Sequence, residues 1–361
     1  MSQGMRWRYC TKEQCRELLA SYDLFQGLGW SAQEQERCLY SLSNHAKRHY
    51  RAVEIPKKSG GIRKLMVPDP ILSKVQKRIL HGILDEMPIS DYAKAYKKGG
   101  RLTENALPHR GKRRILKLDI RDFFGNITFT MVYQSVFCSL RFPPAVGTLL
   151  TNLCCCGDVL PQGAPTSPAI SNLVMRPFDD YMGEWCARQN VGYTRYCDDM
   201  TFSGDFSPDM VRRKVKGFMT VMGFELNEKK TAVQERSQRQ TVTGIVVNEK
   251  GQAAREYRKN LRQEVYYCQR FGVEEHLKRR RGKTEETPRS YLSSLEGKLR
   301  YVLQVNPNDT QARADLEVIQ RLALSCDPQP SRAAWETEDG GVTSFLCAPA
   351  PLERQRGEPG Q

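Results

Sequence analysis

Three carboxylates stand out by type and position. Asp119 closes the alternating run Ile115 to Ile120, and Asp198 and Asp199 are adjacent within Tyr196-Cys197-Asp198-Asp199. Neighbouring carboxylates repel, so each resists ionising beside the other unless a cation is present. Oxygen donors on rigid strands suit Mg²⁺, a hard ion that also holds substrate phosphates. Two such ions about 4 Å apart stabilise both the attacking and the leaving oxygen of a nucleotidyl transfer. An isolated Asp-Asp pair is usually a solvated turn; this one gains meaning from the strand ending in Asp119.

The elements that must position these acids are legible in the pattern. Ile115, Lys117 and Asp119 share one face of a predicted strand over 112–120, and Leu116, Leu118 and Ile120 share the other. Residues 193–203 predict a β-hairpin with the acids at its tip, and 51–68 two short strands around Gly60-Gly61, the second carrying Arg63 and Lys64. Leu72, Val75, Ile79 and Ile83 recur at helical spacing, so an amphipathic helix is predicted, broken at Pro88. Residues 168–190 and 207–222 predict helices and 241–248 a strand. Residues 1–50 read as helical, and 254–325 as helical and very basic, with 14 Lys and Arg against 7 acids over 250–300.

The 361 residues carry a net charge of +15, and because 326–361 contribute −3, residues 1–325 carry +18. Such a body attracts a polyanion, of which nucleic acid is the commonest. Residues 326–361 hold five Pro and four Gly, which predicts a flexible acidic tail. Apolar runs fall far below the ~18 residues that span a bilayer. Residues Met1 to Cys10 lead into no apolar stretch, so neither a secretory signal nor a membrane partner is expected. The twelve cysteines include no C-x-x-C pair, which favours reduced thiols in the cytoplasm over zinc or disulfides.

Six segments in order resemble the motifs of one enzyme family. Tyr196-Cys197-Asp198-Asp199 resembles the YxDD box of reverse transcriptases, and Leu118-Asp119-Ile120-Arg121-Asp122-Phe123-Phe124 their first palm motif. Leu160-Pro161-Gln162-Gly163-Ala164-Pro165-Thr166-Ser167-Pro168 resembles their LPQG box, and Gly223-Phe224-Glu225-Leu226-Asn227-Glu228-Lys229-Lys230-Thr231 the fourth palm motif. Asn105-Ala106-Leu107-Pro108-His109 and Val242-Thr243-Gly244 resemble the NAxxH and VTG boxes of the retron branch. The resemblance covers about residues 50 to 320. Cys197 departs from it, standing where the bacterial lineage usually has Ala.

The resemblance implies an α/β (α+β) right-hand polymerase with fingers, an antiparallel-sheet palm and a helical thumb. An N-terminal helical extension would occupy 1–49, fingers and palm 50–254, the basic thumb 255–325 and the tail 326–361. It implies that Asp119, Asp198 and Asp199, with the Ile120 carbonyl, hold two Mg²⁺ ions. Lys230, or its competitor Lys229, would act as general acid. Arg63, Lys64, Gln162 and Gly163 would bind the incoming dNTP, with Phe123 as the ring that rejects a 2′-OH. Asn105, His109, Val242, Thr243, Gly244, Arg279, Arg280 and Arg281 would bind RNA. The implied activity is RNA-directed DNA synthesis on a cognate non-coding RNA, primed from a 2′-OH to give branched RNA–DNA (msDNA), with a separate effector protein in antiphage defence. Other readings are another bacterial reverse transcriptase, of group II intron or unassigned defence type, and a mainly RNA-binding scaffold or antitoxin. The retron boxes argue against the first, and the intact acids and LPQG box against the second.

Overall fold

A computed structural model describes residues 10–57, 60–279 and 287–326. The chain divides into two compact units, 1–240 and 241–361, a division that falls earlier than the 254 expected from the sequence.

The first unit opens with two helices, α1 (Lys12–Ser21) and α2 (Ala32–Asn44). Each starts at a reciprocal cap, Thr11 with Gln14 and Ser31 with Glu34, which satisfies amide groups the helix leaves unpaired. Strands β1 (Tyr50–Pro56) and β2 (Ile62–Pro68) then form an antiparallel ribbon around Gly60-Gly61. Asp69 caps α3 (Pro70–Ile79), which runs on into a π turn at Leu80–Leu84 and buries Leu72, Val75 and Ile79 along one stripe. After the short helix α4 (Leu102–Ala106) comes β3 (Arg114–Asp119), then α5 (Phe129–Ser135), α6 (Pro144–Cys154) and α7 (Ser167–Arg188).

The hairpin β4 (Gly192–Tyr196) and β5 (Asp199–Gly204), α8 (Pro208–Val221) and β6 (Ala232–Glu235) complete a four-stranded sheet in the order β4-β5-β3-β6. All its pairings are antiparallel, and the register sets Asp119 opposite Asp199. The core of this unit gathers Leu116 and Leu118 from β3, and Ile120 just past its end, with Ile170, Phe178 and Met182 from α7.

The second unit begins with a small sheet of β7 (Thr241–Val242), β8 (Ile245–Val246) and β9 (Gln252–Ala253). Where the sequence pattern suggested one strand over 241–248, the chain reverses at Thr243-Gly244. Both residues have positive φ, +45° and +83°, the geometry of a tight two-residue hairpin turn. Helices α9 (Arg255–Phe271), α10 (Val273–Arg279), α11 (Pro288–Val305) and α12 (Thr310–Cys326) follow. They enclose their own core of Leu261, Val265, Leu295, Leu299, Val302 and Ile319. The tail 327–361 lies outside the described residues, as do Arg280 and Arg281.

Candidate active site

Asp119 is the last residue of β3, and its side chain is 4% exposed. Beside it β4 and β5 meet at a two-residue turn, Cys197-Asp198, flanked by the paired Tyr196 and Asp199. Cys197 opens that turn at φ +61°, a left-handed conformation that suits a hairpin loop twisting with its strands. The amide of Ile120 donates to the Asp198 carbonyl at 3.1 Å, which ties the end of β3 to the turn. As a result one carboxylate oxygen from each of Asp119, Asp198 and Asp199 lies within 4.8 Å of the others.

The electrostatics follow from this crowding. Burial, then the charges of Asp198 and Asp119, push the Asp199 carboxyl up to about 6. Burial and the Asp119 charge raise Asp198 as well. Three carboxylates on a rigid sheet, partly withdrawn from water, form an oxygen-donor set fitted to a divalent cation. Within the protein itself the compensation comes from Lys230, whose Nζ donates to Asp119 Oδ2 at 2.7 Å. That contact raises the Lys230 pKa and keeps the ammonium charged.

Asn227 is a site residue that motif reading left without a role. Its amide nitrogen donates to the Asp119 carbonyl at 2.8 Å, and its Nδ2 to Asp119 Oδ1 at 3.1 Å. The 3₁₀ turn Glu228–Lys230 then carries Lys230 to the other carboxylate oxygen. The signal was present, an Asn three residues before the Lys, but only the lysine stood out by charge.

The loop carrying Gln162 and Gly163 lies against β2, the strand that bears Arg63 and Lys64. The Met66 amide donates to the Gln162 carbonyl at 2.7 Å. Gly163 has φ +119°, and a Cβ there would come within 2.9 Å of the Met66 carbonyl oxygen. Having no side chain, Gly163 lets this loop approach the β2 backbone closely. Arg63 and Lys64 are both exposed.

Other expected residues sit differently. Asn105 and His109 are fully buried, so the expectation that they contact RNA is corrected. The His109 ring meets Ser203 Oγ on β5 at 2.7 Å and Thr194 Oγ1 on β4 at 2.8 Å. Burial pushes its pKa down to about 3, so the ring is neutral and braces the hairpin that carries the acids. Val242 is likewise buried, its side chain spent on the core rather than on a ligand; Gly244 is exposed at the turn. Phe123 is 3% exposed and packs on Phe224, with ring centroids 5.9 Å apart, while Phe124 keeps partial exposure. Arg279 pairs with Glu275 at 3.1 Å and stacks over Phe271. Cys197 accepts a hydrogen bond from the Tyr96 hydroxyl at 3.2 Å, and burial pushes its thiol up to about 12, so the side chain is unreactive.

An antiparallel sheet that presents three acids from a strand end and a hairpin tip defines the palm of a nucleotide polymerase. Residues 55–249 match the reverse transcriptase (RNA-dependent DNA polymerase) family. The chain is 33% identical over 286 residues to the retron Mx65 reverse transcriptase of Myxococcus xanthus, covering 74% of this chain and 64% of that protein. It is 31% identical over 236 residues to the retron Ec86 reverse transcriptase of Escherichia coli, covering 63% and 73%. A telomerase structure from Candida albicans aligns at a TM-score of 0.41 and 10% identity, over 80% of this chain and 67% of that one. The protein belongs to the reverse transcriptase family, in its retron-type bacterial branch, and its fold is that family's right-hand polymerase.

Proposed function

We propose that the protein copies a cognate structured non-coding RNA into DNA from dNTPs, starting at a 2′-OH of that RNA and giving branched RNA–DNA. The carboxylate triad at the strand and hairpin ends carries this reading, because it lies within the family-matched segment and has the donor set such chemistry needs. The retron relatives support an RNA template. Antiphage defence with a separate effector protein and a cytoplasmic location complete the reading. Among the described residues no helix is long and apolar enough to cross a membrane.

Asp119, Asp198 and Asp199, with the Ile120 carbonyl, would hold two Mg²⁺ ions. When bound, such ions neutralise phosphate charge and favour in-line displacement. The rest belongs to the chain's own side chains. Asn227 holds Asp119 by backbone and side chain, fixing the carboxylate's rotamer. Lys230, charged and 2.7 Å from Asp119, is placed to deliver a proton to the departing pyrophosphate, and is favoured over Lys229 on that geometry. The β1–β2 ribbon with Arg63 and Lys64, and the loop of Gln162 and Gly163, form one nucleotide-binding surface, since the Met66–Gln162 bond joins them. Fingers and palm over 50–254, a thumb over 255–325, and RNA contacts by Thr243, Gly244 and Arg279 to Arg281 belong to the same reading.

The deciding experiment is to sequence the nucleic acid that co-purifies with the protein. A single structured RNA joined to its complementary DNA through a 2′ branch is the expected result. Unrelated cellular RNA with no attached DNA would overturn the retron reading.

A further inference from the structure

The hairpin tip must hold Asp198 and Asp199 against Asp119, and the structure shows what steadies it. Arg195, on β4 two residues before Cys197, is fully buried. Its Nε donates to both Asp179 oxygens at 2.8 and 3.1 Å, and its Nη2 to Asp179 Oδ2 at 2.6 Å. Nη2 also donates to Asn172 Oδ1 at 3.1 Å, while Nη1 donates to the Cys197 carbonyl at 2.8 Å, inside the turn that carries Asp198. The same network reaches the chain segment beside the hairpin. Asn172 donates to the Ala95 carbonyl at 2.8 Å, and the Arg195 backbone exchanges bonds with Tyr92 and Lys94. The Tyr193 hydroxyl donates to Asp179 at 2.8 Å and completes the ring of donors around that carboxylate.

A buried ion pair is a poor means of gaining stability, because two charges must be stripped of water and apolar residues of equal volume often serve as well. An apolar pair cannot donate a hydrogen bond to the Cys197 carbonyl. That carbonyl belongs to a residue at φ +61°, a conformation most side chains avoid, so an outside contact fixing it has a task. Asn172 and Asp179 stand about two turns apart on one face of α7, so one helix supplies both partners that set the guanidinium's position. We propose that Arg195 is the positioning residue of the catalytic acids, oriented by Asp179 and Asn172 and acting through the Cys197 carbonyl to hold Asp198 and Asp199 facing Asp119. This rests on the polymerase reading above.

The test compares the native chain with an Arg195→Met, Asp179→Leu double variant and with Arg195→Lys. It measures thermal unfolding, Mn²⁺ binding by electron paramagnetic resonance, and kcat and KM for dNTP in primer extension. The double variant removes both charges together and is expected to stay folded, with an unfolding temperature lowered because the Tyr193 hydroxyl and Asn172 each lose a partner. It should nevertheless bind Mn²⁺ about tenfold more weakly or worse and lose about tenfold or more in kcat, with KM little changed, because small misplacements of reacting groups are costly. Lysine carries its donors on one nitrogen and lacks the planar fork that sends Nε and Nη2 to Asp179 and Nη1 to the Cys197 carbonyl, so Arg195→Lys should show the same losses. A folded double variant with native Mn²⁺ affinity and kcat would reduce the pair to a stability element and overturn the proposal. If the double variant does not fold, native Mn²⁺ binding and kcat in Arg195→Lys would overturn it. Lack of primer extension by the native chain would count against the polymerase reading instead, and the Mn²⁺ measurement would still decide the role of Arg195.

Discussion

Asp198 is the residue whose loss separates chemistry from binding most cleanly. Its carboxylate is one of three converging oxygens, and it sits in a turn whose backbone is held by Ile120 and Arg195. Asp198→Ala should therefore leave the fold intact and RNA binding near native, while primer extension falls by about a hundredfold or more, the loss expected when a metal ligand worth several kcal/mol is removed. Undiminished extension would remove Asp198 from the site. Phe123 presents a different case. A ring 3% exposed and packed on Phe224 is spent on the core, and truncating such a ring to Ala costs about 3–5 kcal/mol. Urea unfolding of Phe123→Ala should show that loss. The ratio of rNTP to dNTP incorporation, measured in Phe123→Ala and in Phe124→Ala, shows which of the two rings excludes a 2′-OH. A rise confined to Phe124→Ala would assign the gate to the half-buried neighbour.

At the scale of elements, the β4–β5 hairpin is braced from beneath by a neutral histidine, and that has a pH consequence. The His109 pKa is depressed from an ordinary 6.5 to about 3 by burial. A depressed histidine binds its proton more readily in the unfolded chain. The stability it contributes is thus complete above pH 6.5 and lost as pH falls toward 3. The slope is about 1.4 kcal/mol per pH unit for one such group. Unfolding free energies at pH 7, 6 and 5 should fall more steeply in the native chain than in His109→Gln, where no ring titrates. Identical slopes would mean that His109 is accessible to protons in the folded state. The same elements show what a sequence can and cannot reveal. Asp119 was legible because strand periodicity put it at an end, and the acid pair because it sits between two short alternating runs. His109 was misassigned because a motif gives residue identity without burial. The turn at Thr243-Gly244 was missed because a β-branched residue at φ +45° runs against local preference. The Arg195–Asp179 pair was invisible because its partners lie on a strand and a helix sixteen residues apart, joined only by the fold.

For the whole molecule the governing quantity is charge. Residues 1–240 carry +13 and residues 241–326 carry +5, while 327–361 carry −3. Positive charge is therefore spread over residues 1–240 and 241–326 at similar density, and the helical segment is not uniquely basic. If the protein's partner is RNA, affinity should depend steeply on salt, because each phosphate neutralised releases condensed counterions. The logarithm of affinity against the logarithm of salt should be linear. Replacing Arg63 and Lys64 together with Ala should lower the slope by about one to two phosphate contacts, as should the same change at Arg279 to Arg281. The two variants should then diverge in chemistry. Loss of Arg63 and Lys64 should raise KM for dNTP, since these cations sit on the strand that bonds the Gln162 loop. Loss of Arg279 to Arg281 should leave extension of a generic annealed primer intact at saturating template. It should impair synthesis primed from the cognate RNA's own 2′-OH, where one hydroxyl must be placed against the triad. A slope unchanged in both variants would locate the RNA contacts on other basic residues of the two units.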